Sequence, residues 1–393
     1  MGTFTWPLAS VIYAAGALLG GLAGEAWALI VGRIIMGVGG AIVFPTALAV
    51  TTNAFPSSKV QRAVGLVVAI GVVGGSVGPM VAGGLTDWFT WRAAVLISVP
   101  VAGLVVRFTR LGVAESRDET VPRSIDWPGV VLIAASIGLI LLGIDLAGEI
   151  GWIEPQVLAL VGAGIIGLAL FVAVERRVRF PLLDPDLFRN RTFTAVSVGG
   201  ALGTASSAIV VFMSMIYLQE VEGLTASRAA VVFLTFSVGG AIGALASGRL
   251  ERYRPWVVMT VALVVGGIGV VGMGISSELA MFAAFGLVAG TGLGLSFAYV
   301  NVISQAAVPA RQAGAASGTA ITMNVIAGVV AVVIAASVYD TAIAEGGADE
   351  ASVIRAIFVG AGILSVLCGL IFAILGRGSS VRLDVSREAA GSG

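Results

Sequence analysis

Few residues in this chain are able to do acid–base, nucleophilic or metal chemistry. The sequence contains no histidine, one cysteine (Cys368) and one lysine (Lys59). This composition excludes histidine-based metal sites, histidine general bases and an internal disulfide. Lys59 does not follow the glycine pattern of a phosphate-binding loop, so no ATP site of that type is present. We therefore expect no metal, no cofactor and no nucleic-acid partner.

Ionisable residues inside long apolar stretches are the next candidates, because a charge is costly to bury there. Arg33 lies in the outer third of such a stretch and is expected to contact an acid or an anionic group. The alternative is that its side chain reaches the polar surface. Asp145, Glu220 and Glu222 lie near the ends of their stretches. No carboxylate therefore occupies the middle of an apolar stretch.

A second set of candidates consists of methionine, aromatic and amide side chains inside apolar stretches of the second half. Flexible thioethers and aromatic rings suit a cavity for varied apolar molecules, whereas ordinary packing is the alternative for each residue. Asn324 is the sharpest candidate, because an amide in mid-span needs a hydrogen-bonding partner. The predicted cavity residues are Met213, Tyr217, Phe297, Tyr299, Asn301 and Asn324.

The elements that must position these residues are membrane-spanning helices. Hydrophobic residues make up 58% of the chain, charged residues 11%, and the mean hydropathy is +1.04; soluble domains have about 25% charged residues. A span needs roughly 20 apolar residues, so the sequence predicts an all-α polytopic membrane protein with about twelve helices. The predicted spans are 7–23, 27–50, 63–85, 93–106, 127–147, 155–174, 193–217, 228–248, 255–275, 279–303, 314–338 and 353–376.

The basic residues indicate the orientation of these spans. Most of the 22 lysine and arginine residues fall in the loops of one side, which the positive-inside rule assigns to the cytoplasm together with both termini. The 7 tryptophans lie near span ends, where an indole ring sits at the headgroup level. No basic segment precedes the first apolar run, so a cleavable signal peptide is not expected.

The third span is unusually rich in glycine and also contains Pro79. Small residues let helix backbones approach closely in lipid, and an interior proline bends a helix. The spacing of Gly65, Gly74, Gly78 and Pro79 therefore predicts a kinked span packed closely against another helix. Ordinary small-residue packing is the alternative.

An internal repeat relates residues 37–56 to residues 290–309. Gly37 matches Gly290 and Gly39 matches Gly292 at one constant spacing. Both copies run from outside to inside, so the repeat is parallel, with an axis along the membrane normal. The chain is thus expected to contain two related helix bundles.

With these features in place, the chain resembles the fourteen-helix drug:proton antiporter branch of the major facilitator superfamily. The fourth-helix signature of the family matches Arg33, Met36, Gly37 and Gly39, with Met36 where glutamine is usual. Its fifth-helix signature matches the glycine-rich span. The resemblance implies that Arg33 lines the cavity.

By this resemblance, the first two helices of the family and their acidic motif have no counterpart, since residue 1 aligns with the start of the third helix. Four spans then belong to the first half, two to an inserted pair and six to the second half. The expected domains are an incomplete bundle at 1–106, cytoplasmic linkers and the inserted pair at 107–192, a six-helix bundle at 193–376, and a cytoplasmic tail at 377–393.

The resemblance implies a monomeric carrier in the bacterial inner membrane that couples protons to the export of drugs or other small apolar or cationic molecules. The two halves would rock about the glycine-rich span, so Gly78→Leu is expected to abolish efflux. One alternative is a truncated, inactive or partner-dependent fragment. A membrane-embedded enzyme is the other alternative, and the lack of histidine, of a cysteine cluster and of a mid-span carboxylate pair argues against it.

Overall fold

The computed structural model of the chain describes residues 5–54, 57–112, 126–178, 185–250, 253–308, 313–344 and 349–375. Every regular element in these residues is a helix, which confirms the predicted all-α class. The physical reason is that lipid offers no hydrogen-bonding partners, so a spanning backbone must pair its own amide and carbonyl groups.

The described residues form thirteen α-helices, α1 to α13 in chain order, and two short segments of other helix types. A 3₁₀-helix covers Pro185–Arg189 and a π-helix covers Tyr217–Val221. The α-helices are α1 (Thr5–Gly21), α2 (Ala26–Ala54), α3 (Ser57–Trp88), α4 (Trp91–Leu96), α5 (Ser98–Gly112), α6 (Trp127–Ile150), α7 (Pro155–Glu175), α8 (Arg191–Ile216), α9 (Ala226–Leu250), α10 (Pro255–Ile275), α11 (Leu279–Ala306), α12 (Ala313–Ala344) and α13 (Glu350–Leu375).

Each of the twelve predicted spans coincides with one helix, except the fourth, which is divided between α4 and α5. Ten segments of the described chain are long and apolar enough to cross a membrane, and Trp6–Gly21 is a shorter apolar helix. The division of the fourth span has a local cause in Pro100, because proline has no amide hydrogen to donate to the preceding turn.

Short polar side chains cap the starts of two helices, α6 and α8. The Asp126 carboxylate accepts a hydrogen bond from the backbone N–H of Gly129 at 3.0 Å and begins α6. The Asn190 side chain accepts from Thr192 N–H at 3.0 Å and from Phe193 N–H at 3.1 Å and begins α8. Both residues satisfy amide donors that have no partner within the helix.

Contacts divide the chain into two compact units. The first comprises residues 1–123 together with 224–234, and thus contains α1 to α5 and the start of α9. Its core includes Ala17, Met36 and Val95. Helices α1 and α2 touch through their backbones, because a Cβ atom on Gly32 would lie 2.6 Å from Gly20 N.

The second unit comprises residues 124–223 and 235–393. One core cluster of this unit joins α8, α10, α11 and α12 through side chains that include Met259, Tyr299 and Ala320. Close backbone contacts hold α10 against α13, since a Cβ atom on Gly267 would lie 2.6 Å from Gly362 O. The domain boundaries predicted at 106, 192 and 376 stay predictions.

The internal repeat reappears as identical packing in the two units. A Cβ atom on Gly39 would lie 2.6 Å from Tyr13 N and 2.8 Å from Ala9 O. A Cβ atom on Gly292 would meet the N atom of Gly266 and would lie 2.5 Å from Ala262 O. The spacing from Gly39 to Gly292 also relates Tyr13 to Gly266 and Ala9 to Ala262. Helices α1 and α2 therefore correspond to α10 and α11, whereas the parallel axis of the repeat stays a prediction.

Candidate functional site

The glycine-rich face of α3 is open in this conformation. Gly74 and Gly78 are exposed, and no atom of the described chain lies within 4 Å of a Cβ atom built on either. Pro79 lies inside the helix as predicted, and the contacts of Gly65 lie outside the described residues. The close contact predicted at Gly74 and Gly78 is thus not seen among the described residues and stays a prediction.

The close contact that α3 does make lies nearer its outer end, at Gly83. A Cβ atom on Gly83 would lie 2.7 Å from the carbonyl oxygen and 2.9 Å from the carbonyl carbon of Ala226. Ala226 is the first residue of α9. The absence of a side chain at Gly83 therefore lets the start of α9 rest directly on the α3 backbone.

One turn further along α3, Asp87 binds the same end of α9. Its carboxylate accepts a hydrogen bond from Ser227 N–H at 3.0 Å and a second from the Ser227 hydroxyl. A carboxylate at a helix N-terminus is favoured by the helix dipole and by the free amide groups there. Asp87 follows the predicted span 63–85, and the Ser227 hydrogen bonds lower the pKa of its carboxyl, which keeps it ionised.

The sequence identified Gly83 as one of many glycines and did not identify Asp87. The contact between Asp87 and Ser227 joins residues 140 positions apart, and no local pattern encodes such a pairing. The only local signal was a helix-capping sequence, since Thr225 and Ser227 flank the first residue of α9.

The four residues of the fourth-helix signature divide into two that pack and two open positions. Met36 lies in the core of the first unit. Gly39 is buried against α1, as described above, whereas Gly37 is exposed and no described atom lies within 4 Å of its Cβ position. Arg33 is also exposed. Its predicted role in the cavity stays a prediction.

Gly37 and Gly39 provide a stability test in which one residue is the control for the other. We expect Gly39→Leu to push α1 from α2 and to lower the melting temperature by at least about 2 °C, because overpacking costs about 1–3 kcal/mol and 1 kcal/mol shifts the melting temperature of a large domain by about 2–4 °C. Gly37→Leu should leave it unchanged, since its side chain would meet open space. Thermal unfolding of the two purified variants in detergent measures both effects. Equal melting temperatures would contradict the packing assignment.

Tyr217 is engaged in contacts within the second unit. Its hydroxyl donates to Glu222 Oε1 at 2.8 Å and accepts from Arg355 Nη2 at 3.1 Å. Its ring stacks on Phe282 with 5.1 Å between centroids. These contacts fix the π-helix at the end of α8 against α11 and α13, so this hydroxyl has its partners already.

Three other cavity candidates are buried in the second unit. Met213 and Tyr299 have no exposed surface, and Asn324 is 1% exposed. Neither the nitrogen nor the oxygen of the Asn324 amide has a hydrogen-bonding partner in the described chain. A buried amide without hydrogen-bonding partners is costly. Asn324 therefore remains the strongest candidate for a residue that binds a ligand in the cavity.

Phe297 and Asn301 occupy a different position on α11. Phe297 is 46% exposed, and the Asn301 amide donates to the Phe297 carbonyl at 2.8 Å, one turn back along the helix. An apolar groove of 290 Å³ lies elsewhere, between α10, α11 and α13, and is lined by residues such as Ile268, Phe285 and Leu367. The groove includes none of the six candidates. The predicted role of the six residues in a cavity therefore stays a prediction.

Comparison with known proteins relates the whole chain to one family. The family model described as Major Facilitator Superfamily matches residues 3–332 and 195–391. The chain is 30% identical over 329 residues to multidrug resistance protein Stp of Mycobacterium tuberculosis, covering 81% of this chain and 60% of that protein. It is 29% identical over 310 residues to the tetracenomycin C resistance and export protein of Streptomyces glaucescens, covering 76% and 56%.

The solved structures that resemble this fold are also transporters by their descriptions. A POT family transporter in complex with a thioalcohol-conjugated peptide gives a TM-score of 0.68 at 11% identity, covering 96% of this chain and 82% of that one. A bacterial homologue of the human lysosomal transporter Spinster, inward-facing and unoccupied, gives 0.56 at 16%, covering 95% and 83%. At these identities the likeness concerns the fold alone. The chain spans about 60% of the length of Stp.

Proposed function

The chain belongs to the Major Facilitator Superfamily, and from this premise we propose that it exports drugs or other small apolar or cationic molecules across the membrane. One observation carries the proposal. Relatives that match along more than three quarters of the chain are named for multidrug resistance and drug export. The named relatives are transporters, and we propose no enzymatic reaction.

The proposed setting is the bacterial inner membrane, with both termini in the cytoplasm. The segregation of basic residues to one set of loops supports this orientation. The relatives named above are bacterial proteins. We propose that the carrier works as a monomer.

The proposed mechanism is alternating access, in which two helix bundles rock about a central site. The contact of Gly83 and Asp87 with the start of α9 would hold the outer ends of α3 and α9 together in one state. The open face at Gly74 and Gly78 would close in the other state. Arg33, Gly37, Gly39, Gly65 and Pro79 would serve as cavity or packing positions.

The finer family assignment is also a proposal. We propose that the twelve spans correspond to the third to fourteenth helices of the fourteen-helix drug:proton antiporter branch, with α6 and α7 as its inserted pair. Protons would then drive export. The close contact between α6 and α7 supports the pairing, since a Cβ atom on Gly143 would lie 2.8 Å from Val161 Cγ2.

Reconstitution of the purified chain into liposomes tests transport and coupling together. We expect ethidium to move against its gradient when a proton gradient of the correct sign is imposed, and to stop when a protonophore is added. Valinomycin with potassium separates the membrane potential from the pH difference. Empty liposomes provide the control. Gradient-independent leakage, or no ethidium movement above that of empty liposomes, would contradict the proposal.

A further inference from the structure

The apolar groove of the second unit, between α10, α11 and α13, lies at the depth of the lipid tails. Its volume is 290 Å³, and every residue that lines it is apolar. Four lining residues lie on α10 between Ile268 and Ile275, Phe285 lies on α11, and three lie on α13 between Ile363 and Leu367. All of them fall within segments that are long and apolar enough to cross a membrane.

The three helices around the groove are already in backbone contact. A Cβ atom on Gly267 would lie 2.6 Å from Gly362 O, so α10 and α13 meet at their backbones. A Cβ atom on Gly272 would lie 2.6 Å from Phe285 Cε1, so this ring of α11 rests on the bare backbone of α10. Small residues permit such an approach in a membrane. The helices are therefore unable to move closer together and fill the groove themselves.

The polar side chains next to the lining residues in the chain have hydrogen-bonding partners of their own. The buried Ser276 hydroxyl donates to the Gly272 carbonyl at 2.6 Å, and the buried Ser365 hydroxyl donates to the Leu263 carbonyl at 3.0 Å. A drug-sized molecule is oriented by a few placed polar groups, and a water molecule needs two to four polar partners. The lining therefore suits neither of them and suits a hydrocarbon chain.

We propose that this groove binds one acyl chain of a membrane phospholipid. Hydrocarbon tails surround the spans of a membrane protein, and an empty gap forfeits dispersion contacts with the atoms that line it. The lining of α10 from Ile268 to Ile275 is about 10 Å long at about 1.5 Å per residue, so part of one chain lies along the helix and its headgroup lies beyond Ile275. The site requires only that the chain spans a membrane, whatever the protein transports.

Native mass spectrometry of the purified full chain tests the site, with palmitoyl-oleoyl phosphatidylethanolamine as the probe. We expect Ile363→Trp to weaken the tightest lipid binding by about tenfold or more, because the indole occupies the volume that the acyl chain takes. Leu364→Trp is the matched control, since Leu364 is 55% exposed and Ile363 is 48% exposed, but only Ile363 lines the groove. The control should bind lipid as the unaltered chain does.

Thermal unfolding in detergent gives a second measurement on the same two variants. A ligand stabilises the folded state that binds it, so added phospholipid should raise the melting temperature of Ile363→Trp less than that of Leu364→Trp. Equal lipid binding and equal thermal shifts for the two variants would overturn the proposal.

Photo-cross-linking examines the unaltered chain, with a phospholipid that carries a diazirine in its acyl chain. We expect the cross-links to concentrate on residues 268–275 and 363–367, which include the lining of α10 and α13. Cross-links spread evenly over the exposed apolar residues of all spans would indicate ordinary lipid contact and would overturn the proposal. Displacement of the cross-links by ethidium would assign the groove to a transported molecule and would overturn it as well.

Discussion

If the proposed export function holds, Gly83→Leu is expected to reduce drug export by at least about tenfold while the protein still inserts into the membrane. The Cβ position at Gly83 lies 2.7 Å from the backbone oxygen of Ala226, and a backbone atom is unable to move aside as a flexible side chain does. The start of α9 must therefore separate from α3, and the hydrogen bonds from Ser227 to Asp87 are lost with it. Export from cells and the amount of protein in membranes are measured in parallel.

The neighbouring residue provides the matched control. Gly84 has no described atom within 4 Å of its Cβ position, so Gly84→Leu should export at the normal rate. A membrane-impermeant maleimide reports the expected opening directly, with Leu224→Cys in a Cys368→Ser background. Gly83→Leu should speed this labelling from outside. Normal export by Gly83→Leu would show that the contact at the outer end of α3 is dispensable.

Gly78→Leu is expected to abolish export by preventing a helix contact from forming, whereas Gly83→Leu breaks an existing one. The face of α3 around Gly78 is open in this conformation, so a leucine fits without lowering the amount of folded protein. In the proposed alternation between two states, the same face closes in the other state, and the added side chain would block that approach. The protein should then remain in the present state and lose export by at least about tenfold.

The labelling experiment distinguishes the two glycines. Gly78→Leu should slow the reaction of Leu224→Cys from outside, whereas Gly83→Leu should speed it. Thermal unfolding of the purified variant in detergent checks that Gly78→Leu leaves the melting temperature unchanged. If Gly78→Leu exports normally, the glycine-rich face has no part in the movement, and the fifth-helix signature is explained by packing alone.

The amino-acid sequence determined the membrane class, the number and position of the spans, and the internal repeat. These features depend on composition and on local spacing, since about 20 apolar residues form a span wherever they occur. The break between α4 and α5 was not predicted, since the sequence indicated one span over 93–106. The repeat was readable because glycines at helix contacts, such as Gly39 and Gly292, are retained at a constant spacing.

Only the tertiary structure decided which small and polar residues meet a partner. Gly37 and Gly39 look alike in the sequence, yet one is open and the other touches the backbone of Tyr13. Tyr217 was predicted to line a cavity, and the structure pairs its hydroxyl with Glu222 and Arg355. Helix periodicity specifies the face on which a residue lies, whereas the helix that covers this face is set by packing between segments far apart in the chain. The contact between Asp87 and Ser227 is therefore known only from the tertiary structure, which brings α3 and α9 together.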